Sequence, residues 1–278
     1  MTSGTDWQTR VGDAWAAEWR RTDRSFAELD PALLAAAVGG LREGARVLDV
    51  GCGAGATSLA IAAARPDAAV MGVDLSAALI AAAQARGGAR AMFRVADAAT
   101  LADEGSFDRL VSRHGVMFFD NPVAAFAALR RATVPDGRIV FSCFRERAPN
   151  SWATEPAAAL GIEAGGIDGQ EGGPGPFAFA LAAEVERILT DAGWSDARAE
   201  AVDYDYVAGA GPDAVDEAVA LLRRIGPVAR AIADAPRERQ GGLLERLAAL
   251  CAAKRYGDRV VFPAAAWIWT ARNPEEPA

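Results

Sequence analysis

A glycine loop inside Val47–Gly55 is the first candidate for a ligand-binding segment in this sequence. Glycines there allow a tight turn and let a ligand approach the backbone closely. The loop follows an apolar run and opens an Ala-rich one, so we expect it where a strand gives way to a helix. Its candidate ligand contacts are Gly51, Cys52, Gly53 and Gly55. We expect Cys52 to be a small buried residue that contributes backbone contact rather than chemistry.

This loop taken alone fits two kinds of nucleotide site. Gly51, Gly53 and Ala56 also match the GxGxxG/A pattern of dinucleotide loops, in which a helix N-terminus receives a pyrophosphate. A nicotinamide-dependent oxidoreductase is therefore an open alternative at this point.

Three carboxylates at successive strand ends separate the two alternatives. Asp49 lies just before the loop, where its charge would oppose a pyrophosphate but suits a positive amino group. Asp74 ends the second expected strand and can accept both hydroxyls of a ribose. Asp97 ends the third, placed to accept from an adenine amino group. The acids favour a ligand with ribose, adenine and an amino group over a dinucleotide.

The elements that must position these groups alternate between β-rich and Ala-rich runs. Strands are expected at Arg46–Val50, Ala69–Asp74, Arg90–Ala96, Phe107–Ser112 and Arg138–Phe144, with helices at Ala56–Ala64, Ala77–Arg86 and Pro122–Thr133. Strands that alternate with helices of this length imply parallel pairing through right-handed crossovers. The pattern predicts a doubly wound α/β sheet whose strands are covered on both faces.

Five segments together resemble the class I S-adenosylmethionine-dependent methyltransferases, most closely the bacterial small-molecule members of the ubiquinone/menaquinone type. They are Val47–Gly55, Gly72–Ser76, Ala96–Ala98, Phe107–Arg113 and Leu129–Gly137. The resemblance implies a Rossmann-like sheet of seven strands, mostly parallel with an antiparallel last strand, and S-adenosylmethionine as cofactor. One departure, Asp136 where the family usually has glycine, concerns a turn.

The resemblance also assigns roles to particular residues. It implies that Gly51, Gly53 and Gly55 cradle the methionine part of the cofactor. The other candidate cofactor contacts are Asp49, Cys52, Asp74, Leu75, Asp97, Ala98, Arg113 and Trp19. Asp74 would hold the ribose, and Asp97 with Ala98 the adenine.

Four residues are candidates for contact with the acceptor or for closing over the cofactor. His114, the only histidine, follows the fourth strand and is a candidate general base, or a packed residue that shapes the site. Arg113 is a candidate contact to the cofactor carboxylate or the substrate, or a surface ion pair. Trp15 and Trp19 share a helix face and could close over the cofactor or staple the helix to the core.

Composition limits the classes of partner. The formal net charge is −8, which argues against a nucleic-acid footprint. Three separated cysteines without CxxC spacing predict no metal site and a reducing compartment. No apolar run approaches the ~20 residues of a membrane helix, and residues 1–10 lack the pattern of a secretion signal. We expect a cytoplasmic protein without membrane insertion, and a homodimer is a candidate oligomeric state.

Along the chain we expect four regions. An N-terminal helical lid covers 1–40, with a helix at Trp7–Arg21, and the cofactor-binding core covers 41–145. A mobile Gly/Pro-rich lid loop covers 146–181, and 182–272 completes the sheet with cap helices at about 212–254. The predicted function is methyl transfer to a small, apolar or aromatic acceptor at oxygen or carbon. The alternatives are an NAD(P)-dependent oxidoreductase and a non-catalytic module that binds S-adenosylmethionine.

Overall fold

The computed structural model describes residues 7–87, 89–104, 107–162 and 173–275. The helices are α1 (Arg10–Phe26), α2 (Asp30–Val38), α3 (Ala56–Ala64), α4 (Ala77–Gly87), α5 (Pro122–Arg131), α6 (Ser151–Leu160), α7 (Ala182–Asp191), α8 (Ala214–Leu222), α9 (Ala229–Asp234) and α10 (Arg237–Ala253). The strands are β1 (Arg46–Val50), β2 (Ala69–Asp74), β3 (Met92–Val95), β4 (Phe107–Arg113), β5 (Thr133–Phe144), β6 (Ser195–Ala210), β7 (Arg255–Tyr256) and β8 (Arg259–Arg272). Short 3₁₀ turns occupy Ala98–Glu104 and Val116–Phe118.

Within the described residues the strands form one eight-stranded sheet of order β3-β2-β1-β4-β5-β8-β6, with β7 on β8. The strands β1 to β5 pair in parallel. The strand order reverses between β1 and β4, so the loops after these strands diverge and leave a crevice at their carboxyl ends. The doubly wound α/β fold predicted from the sequence is confirmed.

The second half of the sheet is antiparallel. The strand β8 pairs with β5 and β6, setting Trp269 opposite Phe141 and Ala264 opposite Tyr204. The helices α8 to α10 are inserted between β6 and β7, and α8 packs on β6. This antiparallel end, apart from β5, lies within residues 182–272.

The sheet is buried on both faces because its central strands are apolar throughout. Val47 faces one apolar cluster, with Ile61 and Phe93, whereas its neighbour Leu48 faces the other. Neighbouring residues on a strand point to opposite faces, so β1 is held from both sides. The carboxylate at its end therefore has a fixed position.

The structure differs from the predicted lid regions at two places. A ten-residue helix, α6, lies inside the 146–181 segment that was expected to be a loop. Pro156 within it and the glycines that follow obscured the helical pattern. The N-terminal helix extends to Phe26 rather than Arg21, and α2 follows it. Residues 163–172 of the predicted mobile loop lie outside the described residues.

The length and the apolar character of a helix decide whether it can cross a bilayer. Across residues 7–87, 89–104, 107–162 and 173–275, no helix combines the length and the apolar character that a membrane span needs.

Candidate functional site

A cavity of about 530 Å³ opens at the carboxyl ends of β1, β2 and β4, a size within the usual range of ligand pockets. Most of the residues singled out from the sequence line it: Trp19, Asp49, Gly51, Cys52, Gly53, Asp74, Leu75, Asp97, Ala98, Arg113 and His114. Gly55 does not line it. The fold thus brings together residues that are up to 95 positions apart, as the motifs predict.

Two glycines of the loop are required for different reasons. Gly51 has φ +65°, and a Cβ there would lie 3.2 Å from the Cα of Gly115 on the neighbouring loop. Gly55 has φ +82°, and a Cβ there would meet the Phe93 ring at 2.8 Å. Gly51 therefore shapes the cavity floor, while Gly55 serves the packing of α3 against β3. The predicted cofactor contact of Gly55 is not supported by its position.

Asp49 is a buried carboxylate with one oxygen unused. Its Oδ2 accepts a hydrogen bond from the Ser58 hydroxyl at 2.6 Å, whereas Oδ1 has no partner among the described residues. The side chain is 1% exposed, and burial raises the pKa of Asp49 to about 6. An unpaired buried carboxylate oxygen carries a large desolvation cost, so Asp49 is poised to pair with a positively charged group.

The other two carboxylates organise the rim of the cavity. Asp74 accepts from the backbone N–H of Gly53 and Ser76, both at 2.9 Å, which ties the glycine loop to the end of β2. Asp97 is exposed and accepts from the Ala99 N–H at 2.9 Å. Each carboxylate keeps lone pairs that these hydrogen bonds do not use. Both can therefore still accept hydrogen bonds from a ligand.

Aromatic side chains form the wall above the glycine loop. Trp7 packs against Trp15 and Phe118, with ring centroids 5.5 Å and 5.0 Å away. Trp19 also lines the cavity, and the guanidinium carbon of Arg86 lies 3.9 Å from its ring centroid. The helix α1 therefore contributes apolar surface to this wall of the cavity.

His114 closes the inner end of the cavity with its ring between two phenyl groups. The ring centroid lies 4.7 Å from that of Phe26 and 4.2 Å from that of Phe144. Its Nδ1 lies 2.8 Å from the Ser142 hydroxyl, and its Nε2 has no partner among the described residues. Burial and the nearby Arg113 lower the pKa of His114 to about 3. The imidazole is therefore neutral at physiological pH and a weak base.

The part of the chain that forms most of the cavity is similar to a known protein family. Residues 48–141 match the family model described as "Methyltransferase domain". This part of the chain is a methyltransferase domain. The match agrees with the class I S-adenosylmethionine-dependent family that the motifs indicate. Ten of the predicted cofactor and catalytic residues that line the cavity lie within these residues; Trp19 lies outside them.

Two proteins of known sequence are similar to a longer part of this chain. A malonyl-[acyl-carrier protein] O-methyltransferase of Geobacter sulfurreducens is 36% identical over 162 residues, which span 56% of this chain and 57% of that protein. An uncharacterised Mycobacterium tuberculosis protein is 39% identical over 119 residues, 41% of this chain and 42% of that protein. The chain thus matches about half the length of these curated relatives.

Solved structures show the same fold. A Bacillus halodurans structure described as a putative methyltransferase has a TM-score of 0.56 at 17% identity, covering 88% of this chain and 99% of that one. A Haemonchus contortus phosphoethanolamine N-methyltransferase 2, solved with phosphomonomethylethanolamine and S-adenosylhomocysteine, has a TM-score of 0.56 at 20% identity, covering 99% of this chain and 61% of that one.

An ion-pair network joins the methyltransferase domain to its N-terminal helices. The Arg113 guanidinium is 12% exposed and donates to both carboxylate oxygens of Asp30 at 3.0 Å and to Asp23 at 2.6 Å. These partners hold the pKa of Arg113 above its usual value despite burial. Arg113 therefore joins β4 to α1 and α2 through a mostly buried ion-pair network. The alternative of a surface ion pair is wrong.

Arg86 is a functional residue that the sequence analysis missed. It donates to the Asp23 carboxylate and to the Ala54 carbonyl of the glycine loop, both at 2.8 Å, while it stacks on Trp19. One side chain therefore links α4, α1 and the loop of the methyltransferase domain. Nothing in the local sequence distinguishes Arg86 from an ordinary helix-end arginine, because its partners are distant along the chain.

A second set of ion pairs links α1 to the inserted helix α8. Arg21 donates to Glu217 at 2.6 Å, and Arg24 donates to the same carboxylate at 3.2 Å. Glu18, which is buried, bridges Arg21 and Arg224. The lid helix is thus attached to the cap as well as to the methyltransferase domain.

Proposed function

We propose that the chain transfers a methyl group from S-adenosylmethionine to a small organic acceptor with an apolar or aromatic body, at oxygen or carbon, by an SN2-like displacement. The observation that carries this proposal is the unpaired Oδ1 of Asp49, buried at the end of β1 and lining the cavity. A pyrophosphate beside that carboxylate would be repelled, whereas the ammonium group of S-adenosylmethionine would be paired.

The residues of the cavity fit this methyl donor at separate points. Asp49 would hold the ammonium group, Asp74 the ribose hydroxyls and Asp97 the adenine amino group. A Cβ at Gly53 would meet nothing within 4 Å, so the glycine loop leaves open space there. The donor supplies an electrophilic methyl group on a sulfonium. The chain's own residues orient the reactants and exclude water, which accounts for much of the rate when reacting atoms are aligned.

The acceptor class rests on the lining of the cavity. Trp7, Trp15, Phe26 and Phe118 contribute apolar surface to the cavity lining. The Geobacter relative is named an O-methyltransferase, which supports oxygen as an acceptor atom. The acidic net charge argues against RNA. A cytoplasmic location and a homodimer stay predictions.

Calorimetry tests the cofactor assignment. We expect S-adenosylhomocysteine to bind saturably and NAD to give no heat. Binding of NAD without S-adenosylhomocysteine would establish the oxidoreductase alternative instead. Incubation with labelled S-adenosylmethionine and a panel of phenols, quinols and amines then tests turnover. Binding without transfer to any acceptor would favour the non-catalytic module.

Substitution of Asp74 is expected to weaken binding of S-adenosylhomocysteine. Asp74→Ala should cost ~1–3 kcal/mol, because charge-assisted hydrogen bonds to the ribose are lost. The change also removes the acceptor of the Gly53 N–H, so Asp74→Asn, which retains one acceptor oxygen, should lose less. Calorimetry on both variants measures this order. Unchanged affinity in both would remove Asp74 from the site.

A further inference from the structure

Four buried polar atoms on the cavity lining have no hydrogen-bond partner among the described residues. They are Trp7 Nε1, Thr22 Oγ1, Asp49 Oδ1 and His114 Nε2. Buried polar groups in proteins are almost always paired, so unpaired ones in a cavity indicate where a ligand must bind. The Asp49 oxygen is accounted for by the methyl donor. The atoms of Trp7, Thr22 and His114 remain, and those of Thr22 and His114 are connected through Phe26.

Thr22 and His114 belong to the same inner end of the cavity. Thr22 lies one helical turn before Phe26 on α1, and the Phe26 ring packs on His114. Both residues are more than nine-tenths buried. A ligand that enters between the aromatic side chains can therefore meet both polar atoms.

The Ser142 hydroxyl determines which nitrogen of His114 carries the proton. A neutral imidazole has one donor nitrogen and one acceptor nitrogen. Ser142 is fully buried, and within the described chain its hydroxyl contacts only His114 Nδ1. If Nδ1 donated, both the serine proton and the Nε2 lone pair would be left unpaired. If serine donates to Nδ1, only Nε2–H is left unpaired, which costs less.

We propose that His114 is held by Ser142 as the Nε2–H tautomer and donates a hydrogen bond to an acceptor oxygen that enters the cavity already ionised. This inference rests on the proposed methyl transfer. The substrate class is an oxyanion on an apolar or aromatic body: an acidic phenol, an enol or a carboxylic acid in its anionic form. Thr22 supplies the second hydrogen bond to this oxygen region.

The chemistry balances without a general base. The acceptor oxygen supplies the electron pair of the new O–C bond, and the C–S bond of the donor breaks with its pair staying on sulfur. The negative charge on oxygen and the positive charge on sulfur disappear together, so no proton is removed. A nitrogen that already carries a proton could not accept one.

The surroundings of His114 support this neutral donor role. The charged groups around its ring are Arg113 on β4 and its partners Asp23 on α1 and Asp30 on α2. On the side of β6, Tyr206 packs on Phe26. Burial and Arg113 hold the pKa of His114 low, so the ring stays neutral across the physiological range. Both carboxylates are engaged with Arg113 and do not act as bases.

The single histidine makes the tautomer directly measurable. Nitrogen-15 NMR of labelled protein without a histidine tag should show the Nε2–H form, with shifts that do not change between about pH 5.5 and 9. Ser142→Ala should shift the tautomer equilibrium. An Nδ1–H form, or a titration midpoint near the ordinary value of about 6.5, would overturn the proposal whether or not any acceptor is methylated.

Substitutions of His114 separate a donor from a base in turnover. Glutamine can place an amide N–H near the position of Nε2, so His114→Gln should keep activity within about tenfold, whereas His114→Ala should lose roughly 10²–10³-fold in kcat, as for other lost transition-state donors. Arg187→Ala, on an exposed ion pair of α7, is the control. Equal losses in the Gln and Ala variants would contradict the donor role.

The pH dependence identifies the source of the oxyanion. With 4-nitrophenol, 4-cyanophenol and phenol as acceptors, the acid limb of kcat/KM should move with the pKa of each phenol. At a concentration of S-adenosylmethionine that saturates the site at every pH, benzoate as acceptor should show no such limb above about pH 5, because it is ionised there. A limb that stays at one pH for all phenols and vanishes in His114→Gln would establish His114 as a base. Methylation of none of these, with the donor bound, would reject the oxyanion class.

Discussion

Asp49→Asn is expected to stabilise the cofactor-free protein and at the same time to abolish most of its cofactor affinity. The isosteric amide can still accept from Ser58 through its oxygen. Its nitrogen then faces the position where an ammonium group is proposed to bind. Loss of one partner of a buried charge pair costs roughly 2–5 kcal/mol. The affinity for S-adenosylhomocysteine should therefore decrease by a factor between about 30 and more than 1000.

The stability gain follows from the raised pKa of Asp49. Burial raises it from 3.8 to about 6 in the folded protein, a difference equivalent to about 3 kcal/mol. The folded state therefore disfavours the ionised carboxylate. The stability linked to this group is fully present below pH 3.8 and is lost as the pH rises through about 6. At neutral pH, Asp49→Asn removes that cost.

Two measurements on Asp49→Asn check this trade-off. Urea unfolding at pH 7.5 should give a larger free energy of unfolding for the variant, by up to about 3 kcal/mol, and calorimetry should give weaker binding. At pH 4 the two proteins should unfold with nearly equal free energies. A variant that is both less stable and unchanged in affinity would show that Asp49 is only a structural carboxylate.

The same pKa predicts how binding depends on pH. Pairing with an ammonium group requires the ionised carboxylate, so the affinity of the wild-type protein should be level above about pH 7 and fall up to tenfold per unit below about 6. Asp49→Asn should show no such decline. A wild-type affinity that is constant down to pH 5 would contradict an ionic role for Asp49.

Arg113→Ala is expected to be the most destabilising single substitution at the site. It leaves the carboxylate of Asp30 without its guanidinium partner and weakens that of Asp23, which keeps Arg86. The pair is only partly buried, with the Asp30 side chain 38% exposed, so we expect a cost of roughly 1–3 kcal/mol, below the range for a fully buried pair. Urea unfolding of the cofactor-free protein measures this loss.

A double substitution distinguishes the ion pair from simple loss of packing. Arg113→Ala combined with Asp30→Asn should recover part of the stability, because the uncompensated charge is gone. Arg187→Ala, whose ion pair is exposed, should change the free energy of unfolding by less than about 1 kcal/mol. If Arg113→Ala lowered the free energy of unfolding by no more than that control, the ion-pair network would not stabilise the fold.

The parts of this fold that could be predicted are those with local signals. The bounds of β1, β2 and α3 agree with the predicted Arg46–Val50, Ala69–Asp74 and Ala56–Ala64. Apolar runs that are covered on both faces, bounded by charges and glycines, leave few alternative boundaries. Asp49 and Asp74 could be identified because each ends such a run. Their position follows from the strand, not from distant contacts.

The residues that were missed or misread depend on long-range pairing. The partners of Arg113 lie 83 and 90 positions away, so the sequence around it looks like an ordinary strand end. The tautomer proposed for His114 depends on Ser142, 28 positions away on the adjacent strand. Residue type shows that a histidine is present, but only the hydroxyl beside it decides whether it can act as a base.

The attachment of α1 above the cavity has a consequence for the choice of solvent. The buried residues of this helix are Gly12, Glu18, Thr22, Ser25 and Phe26, and its links to α8 and the methyltransferase domain are ion pairs. Dissolved salt screens partly exposed charges, whereas sulfate strengthens the burial of apolar surface. Ammonium sulfate would thus weaken the ion pairs of α1 while it strengthens the apolar packing of Phe26 on His114.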